Sequence, residues 1–223
     1  MARILYSLVF YVITPLVLAR LLWRSIREPL YRATPGQRFG FCETIRNEGP
    51  VVWVHSVSAG ETIAAVPLVK RLTAGGYTVV VTTMTPTGRE RVRTLLGDTV
   101  HHYYAPWDLP GAVRRFVRRI DPALLVIIDT ELWPNIIYYA SRHGTRILLV
   151  NGRLSERSAG GYRKIPMITR PMLKAMTHVA VQSRAHGERF LALGLPDDRL
   201  SVAGSIKFDP EMPADLASRR ISL

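Results

Sequence analysis

Residues 51–61 read VVWVHSVSAGE, and the folding of this stretch decides the rest of the chain. Val51 to His55 is a short apolar run of the kind a buried strand shows. A run of small residues follows, Ser56 to Gly60, and then Glu61. After it, Ile63, Ala64, Val66, Leu68, Val69 and Leu72 recur at helical spacing. The stretch therefore predicts strand, tight loop and helix, with a carboxylate in the helix's first turn. In an open α/β sheet such a loop lies at the carboxyl end of a strand, where ligands bind.

Glu61 has two readings. Ser58-Ala-Gly-Glu61 fits the capping box, in which the serine caps the helix and the glutamate reaches back. Alternatively, Glu61 faces a cleft and takes a proton from an incoming hydroxyl. A helix N-terminus favours the ionised carboxylate, which keeps it available as a base but makes it a weak one. Spacing does not separate these readings.

Working outward, further strands are predicted at Thr78–Thr83, Val100–Tyr104, Leu124–Asp129, Arg146–Val150, His178–Val181 and Leu200–Ala203. Helices are predicted between them, at Thr62–Thr73, Pro86–Leu96, Gly111–Ile120, Pro134–Arg142, Gly161–Met176 and Ser183–Leu193. This alternation predicts an α/β fold, a Rossmann-like, mainly parallel sheet with helices on both faces. Upstream, Ile4 to Ala19 carries no charge and the apolar run resumes past Arg20. Its length is marginal for a span of roughly 20 residues. No small-residue cleavage site follows it, so the flank favours an uncleaved anchor over a signal peptide. Arg20, Arg24, Arg27 and Arg32 follow the run and Arg3 alone precedes it, which places the body on the cytoplasmic side. The expected organisation is an anchor helix at 1–28, a linker at 29–50, a globular domain at 51–209 and a further linker at 210–223.

The 223 residues carry 30 Lys+Arg against 17 Asp+Glu, a formal charge of +13. Such a chain seeks polyanions: nucleic acid, anionic lipid or a phosphorylated substrate. No aromatic-basic pattern of an RNA-binding motif occurs, so nucleic acid is not expected. In 111–120, Val113, Phe116, Val117 and Ile120 are spaced to face the core. Arg114, Arg115, Arg118 and Arg119 form the outer face, either merely solvated or held against anionic head groups. Cys42 is the single cysteine, which excludes an internal disulfide and a thiolate zinc site. His101 and His102 are adjacent in a strand and point to opposite faces; no metal is expected. There is no P-loop, no G-x-G-x-x-G and no G-x-S-x-G.

Three later loops carry polar groups. Asp129-Thr-Glu-Leu-Trp-Pro-Asn135 follows a very apolar strand, which puts Glu131 at the same sheet edge as Glu61. Two carboxylates on one edge are a cleft candidate; otherwise Asp129 or Thr130 only caps a helix, Glu131 is solvated and Trp133 packs. Asn151-Gly-Arg-Leu-Ser-Glu-Arg-Ser158 offers Arg153 and Arg157 for phosphate or carboxylate, with the Ser155 and Ser158 hydroxyls as donors. Ala203-Gly-Ser-Ile-Lys-Phe-Asp209 closes the last strand.

Together VWVHSVSAGE (52–61), DTELWPN (129–135), NGRLSERS (151–158) and GSIKFD (204–209), behind an N-terminal anchor, resemble the 3-deoxy-D-manno-octulosonic acid (Kdo) transferases of lipopolysaccharide synthesis. The likeness runs from the anchor to about Asp209. It implies the N-terminal, acceptor-binding half of a GT-B glycosyltransferase, whose other half binds the donor CMP-Kdo. The acceptor would be the lipid A precursor, and the site the cytoplasmic face of the inner membrane with its anionic surface. No cofactor is implied. By motif, Glu61 matches the proposed catalytic base of an inverting transfer and Glu131 the second acid. Ser58, Gly60, Arg153 and Ser155 fall to acceptor binding and Lys207 to the inter-domain cleft. Gly152 stands where the family usually has Ala. The family enzyme is about twice as long, so the donor domain is expected to be missing, and a catalytically inactive acceptor- or membrane-binding fragment is the alternative.

Overall fold

The computed structural model describes residues 1–27, 34–45 and 49–206. An apolar helix, α1 (Ala2–Ser25), precedes the alternating elements. These are β1 (Val51–His55), α2 (Ala59–Ala74), β2 (Thr78–Thr83), α3 (Pro86–Leu96), β3 (His101–Tyr104), α4 (Pro110–Ile120), β4 (Pro122–Ile128) and α5 (Pro134–His143). Then come β5 (Arg146–Gly152), α6 (Glu156–Arg163), α7 (Pro166–Ala175), β6 (His178–Val181), α8 (Arg184–Ala192) and β7 (Leu200–Val202).

The strands form one sheet in the order β3-β2-β1-β4-β5-β6-β7, and every neighbouring pair is parallel. Strand side chains alternate between faces, and both faces are covered. Trp53, Leu125, Ile127, Leu149 and Val179 pack against Phe116 of α4, Ile136 of α5, Leu173 of α7 and Phe190 of α8. On the other face Val52, Val54, Val79, Val81, Val126 and Ile128 meet Ala65 of α2 and Val92 and Leu96 of α3. Burial on both sides is why these strands read as continuous apolar runs. Trp53 is fully buried; cutting it to Ala would cost roughly 3–5 kcal/mol.

One predicted helix divides. In place of a single helix over Gly161–Met176, α6 starts at Glu156, capped by the Ser155 side chain, and α7 starts at Pro166. The Pro166 ring disfavours helical backbone at Ile165 (φ −124°, ψ 54°), so the chain breaks there.

Within the stretch read as a linker, residues 34–45 are a packed strap. Gln37 Oε1 accepts the Tyr104 amide at 2.9 Å. The guanidinium of Arg38, which is buried, donates to the Met84 carbonyl at 3.1 Å. Gly40 has φ 78°, and a Cβ there would fall 2.0 Å from the Ala112 carbonyl oxygen. Glycine is therefore required where the strap crosses α4.

Helix α1 lies along the body on one stripe. Arg3 Nη1 donates to Asn135 Oδ1 at 2.8 Å, and Tyr6 bonds Asp108. The Ser7 hydroxyl and the Asn135 side-chain amide lie 3.1 Å apart. Further along, Leu18 and Leu21 pack against Trp107, Leu109 and Ala112. The remaining faces of α1, including Leu5, Leu8, Val12, Leu16, Leu22 and Trp23, are exposed.

Candidate active site

The chain leaves β1 towards β2 and β3 on one side, then crosses back to β4 on the other. β1 and β4 are neighbours whose exits diverge, which makes a topological switch point with a crevice at its carboxyl edge. Glu61 stands on the β1 side of this crevice; Asp129 and Glu131 stand on the β4 side.

Glu61 is half-buried and held by its own loop. Its Oε2 accepts the Val57 amide at 2.8 Å and its Oε1 the Ser58 hydroxyl at 2.7 Å. Ser58 Oγ in turn accepts the Glu61 amide at 3.3 Å. The capping-box reading is therefore realised, with the carboxylate reaching one residue further back than usual. It does not isolate Glu61 from the opposite lip. Burial raises the Glu61 pKa, against the Ser58 and Val57 hydrogen bonds, and the Asp129 charge raises it further. The weak base expected from a helix N-terminus is thus reversed: desolvation outweighs the local donors.

Glu131 is also half-buried, and its Oε2 accepts the Trp133 indole N–H at 2.8 Å. Burial raises its pKa first, the indole N–H opposes, and the charges of Glu61 and Asp129 add to the rise. The Asp129 charge acts on Glu61, and the charges of Glu61 and Asp129 act on Glu131, so the two loops lie close enough at the sheet edge for their carboxylates to sense one another. Trp133 is a packing residue and a donor at once: its ring meets His55 edge-on, with centroids 5.1 Å apart.

The β4 and β5 exits share a conformation that non-glycine residues seldom adopt. Asp129 has φ 62° and Asn151 φ 63°, a strain of order 1–3 kcal/mol each. Asp129 donates its amide to the Val150 carbonyl at 2.9 Å. Asn151 Oδ1 accepts from Gln182 Nε2 at 3.0 Å and from the Ile206 amide at 3.3 Å. Arg153 is exposed, and its Nη2 lies 3.7 Å from Asp129 Oδ2. Thr130 Oγ1 donates to the Arg153 carbonyl at 2.6 Å and accepts its amide at 3.0 Å.

The other expected site residues fall in different places. Ser58 is the N-cap of α2, in contact with Glu61. Gly60 is exposed in the first turn, and a Cβ there would meet only Ser58 Oγ at 3.9 Å. Ser155 caps α6 by accepting the Ser158 amide at 3.1 Å, so its hydroxyl serves the helix. Lys207 lies outside the described residues. Two groups were not expected at the site from the sequence, which offered Asp129 only as a possible helix cap and His55 only as the end of a strand. Asp129 became visible only through its backbone and charge. His55 is fully buried, with Nδ1 2.9 Å from Thr82 Oγ1 and Nε2 without a partner. Burial lowers its pKa to about 4, so the ring is neutral at pH 7. Among the described residues no three His, Cys, Asp or Glu side chains are arranged to hold a metal ion.

Residues 33–210 match the family described as 3-deoxy-D-manno-octulosonic-acid transferase (kdotransferase). The chain belongs to the Kdo transferase family. The matched residues contain all four of the sequence motifs quoted above. A Kdo transferase of Haemophilus influenzae is 37% identical over 212 residues, 94% of this chain and 50% of that protein. One of Bordetella pertussis is 33% identical over 223 residues, 96% of this chain and 51% of that protein. The chain therefore spans about half the length of these Kdo transferases.

Solved structures agree on the fold. A UDP-GlcNAc 2-epimerase of Neisseria meningitidis superposes with TM-score 0.53 at 14% identity, over 72% of this chain and 48% of that one. A glycosyltransferase of Rickettsia africae gives 0.53 at 11%, over 78% and 49%. In both, the Kdo transferase chain corresponds to about half of a longer molecule.

Proposed function

We propose that this chain is the acceptor-side half of an enzyme that transfers Kdo from CMP-Kdo to the lipid A precursor. The observation that carries this reading is the pair Glu61 and Glu131, with raised pKa values, on opposite lips of the β1/β4 crevice. Glu61 takes the proton of the acceptor hydroxyl. That oxygen forms the new bond to the anomeric carbon of Kdo while the bond from that carbon to the CMP phosphate breaks. CMP leaves with the bonding pair, and attack from the opposite face inverts the centre. A base with a raised pKa accepts the proton more readily as the hydroxyl oxygen becomes nucleophilic. Glu131, steadied by Trp133, positions the acceptor and adds negative charge that favours the protonated Glu61. Ser58 and Gly60 shape the floor beside the base. Arg153 is placed to pair with acceptor phosphate, and Lys207 is assigned to the cleft with the donor half.

Helix α1 supports placement at a membrane, and the arginines that follow its apolar run, Arg20 and Arg24, favour the cytoplasmic face. Its 24 residues have a mean hydropathy of 1.9 over their most apolar window, enough by length and composition to cross a membrane. Its docked stripe, however, runs from Arg3 to Leu21 along the polar body. A perpendicular span would draw Asp108 and Asn135 into hydrocarbon at a cost of several kcal/mol. The orientation consistent with the docking is in the plane of one leaflet, apolar faces down.

A second reading is favoured by the open edge on which the carboxylates sit and by the half-length match: a module that binds acceptor and membrane without turnover. Incubating the 223-residue chain, and the protein extended to the length of its relatives, with CMP-Kdo and acceptor separates the two. The transferase reading expects turnover by the extended protein and acceptor binding by the shorter chain. Acceptor binding without turnover in the extended protein supports the second.

A further inference from the structure

Two concavities on either side of α5 share a wall. The first, about 350 Å³, lies between α4 and α5 and is lined by Arg114, Arg118, Arg142 and His143 with Tyr138 and Tyr139. The second, about 400 Å³, lies between α5 and α7 under the first turn of α1. Its floor is apolar, made by Pro134, Ile137, Met167, Ile168, Pro171 and Met172. Tyr138 and Arg142 line both, so a guanidinium stands where the basic hollow opens into the apolar trough.

Among the described residues the guanidiniums in the first hollow lack counter-charges. No carboxylate lines it, and among the described residues none pairs with Arg114, Arg118 or Arg142. Asp121, at the end of α4, is held by His143 at 2.6 Å. Three guanidiniums lining one hollow repel one another and favour an anion. The trough beside them is exposed through Met167, which is 72% accessible. Its other wall is the end of α1, whose free faces are apolar.

We propose that these hollows form one site for an anionic glycerophospholipid of the bilayer. The phosphate sits among Arg114, Arg118 and Arg142, and an acyl chain lies in the trough beneath residues 1–3. The proposal extends the membrane side of the function given above, and its test does not pass through transfer. A phosphate joined to an acyl chain is also the chemistry of the acylated, phosphorylated acceptor. The bilayer lipid is favoured because the basic hollow takes Arg118 and Arg142 from the last turns of α4 and α5, whereas the Glu131 loop enters α5 at its other end, at Pro134.

The test titrates the 223-residue chain with dihexanoyl phosphatidylglycerol below its micellar concentration, by calorimetry. Dihexanoyl phosphatidylcholine, inorganic phosphate and the acceptor serve as separate arms. Expected are saturable binding of phosphatidylglycerol and at least tenfold weaker binding of phosphatidylcholine and of phosphate. Arg114→Ser with Arg118→Ser should weaken phosphatidylglycerol about 25-fold, at roughly fivefold per basic residue. Met167→Asp puts a charge at the trough mouth, in the first turn of α7 where an acid suits the helix; it should abolish lipid binding in a folded protein. Phosphatidylcholine binding as well as phosphatidylglycerol overturns the site. So does unchanged binding in Met167→Asp, which would mean diffuse charge alone. Displacement of phosphatidylglycerol by equimolar acceptor overturns the assignment to bilayer lipid. These isotherms contain no transfer step, so either proposal fails without the other.

Discussion

Ser58 and Glu61 hold each other twice: the serine hydroxyl donates to Oε1 of the glutamate at 2.7 Å, and its oxygen accepts the glutamate amide at 3.3 Å. The same carboxylate that closes a helix cap thus faces the crevice. Its cap fixes its position, and burial with the Asp129 charge sets its basicity.

Replacing Ser58 by Ala removes both bonds. The helix loses about 1 kcal/mol of capping, read as a lower urea midpoint. Glu61 loses a donor to its ionised form, so its pKa rises further. Gln at 61 can still complete the box and should leave the midpoint within about 0.5 kcal/mol of the parent. The two variants together separate the structural part of Glu61 from the chemical one.

Asp129→Asn tests the shared basin. Asn tolerates the left-handed backbone at φ 62°, so the loop keeps its path while a charge is lost. The Asp129 charge raises the pKa of both Glu61 and Glu131, and its removal lowers both. A base works only when ionised, so activity falls as pH falls through the Glu61 pKa. In the variant that acid limb moves to lower pH, as a pH–rate profile of the extended protein would record. A limb that stays in place would mean the two lips do not sense each other.

Asp108 gives a test of pH-dependent stability. It is buried, accepts the Asn135 and Ile136 amides at the start of α5, and burial raises its pKa to about 6. The folded protein therefore holds this proton more tightly than the unfolded chain. Its contribution favours folding at acid pH and is lost as pH rises from about 4 to about 6, on the order of 3 kcal/mol. Neutral His55, with its pKa lowered to about 4, acts in the opposite direction in parent and variant alike. Asp108→Asn should therefore make stability at pH 7 relative to pH 4.5 more favourable than in the parent, by urea denaturation at both pH values.

Much of the fold was legible because burial on both sheet faces leaves its mark in sequence. Val51–His55, Thr78–Thr83 and His178–Val181 are strands over the ranges their apolar runs predict. The parts that were not legible depend on distant partners. Arg38 sits in a stretch of Pro, Gly and charge that reads as linker, and its burial comes from Met84, 46 residues away. Asp129 and Asn151 take left-handed backbone without being glycine, which no local pattern announces. At Glu61 the sequence offered a cap or a base, and the structure joins the two. The stripe that docks α1 contains Arg3, Tyr6 and Ser7 inside an apolar run, visible only once Asp108 and Asn135 are placed beside it.

Gly152 sits where a side chain would crowd its neighbours. A Cβ there would lie 2.7 Å from Leu149 Cδ2 and 3.2 Å from Val181 Cγ1. Gly152→Ala should destabilise by about 1–3 kcal/mol through overpacking. Trimming the neighbour, Leu149→Val, should relieve part of this, so the double variant is less damaged than the two single losses summed. Thermal melts of the four proteins would show it.

The most direct measurement is the rate of Kdo transfer from CMP-Kdo by Glu61→Gln in the extended protein, with acceptor binding measured alongside. Loss of about 10²–10⁴-fold in rate with acceptor affinity retained is expected. Full transfer by Glu61→Gln would contradict a proton passing to this carboxylate and leave Glu61 as a helix cap alone.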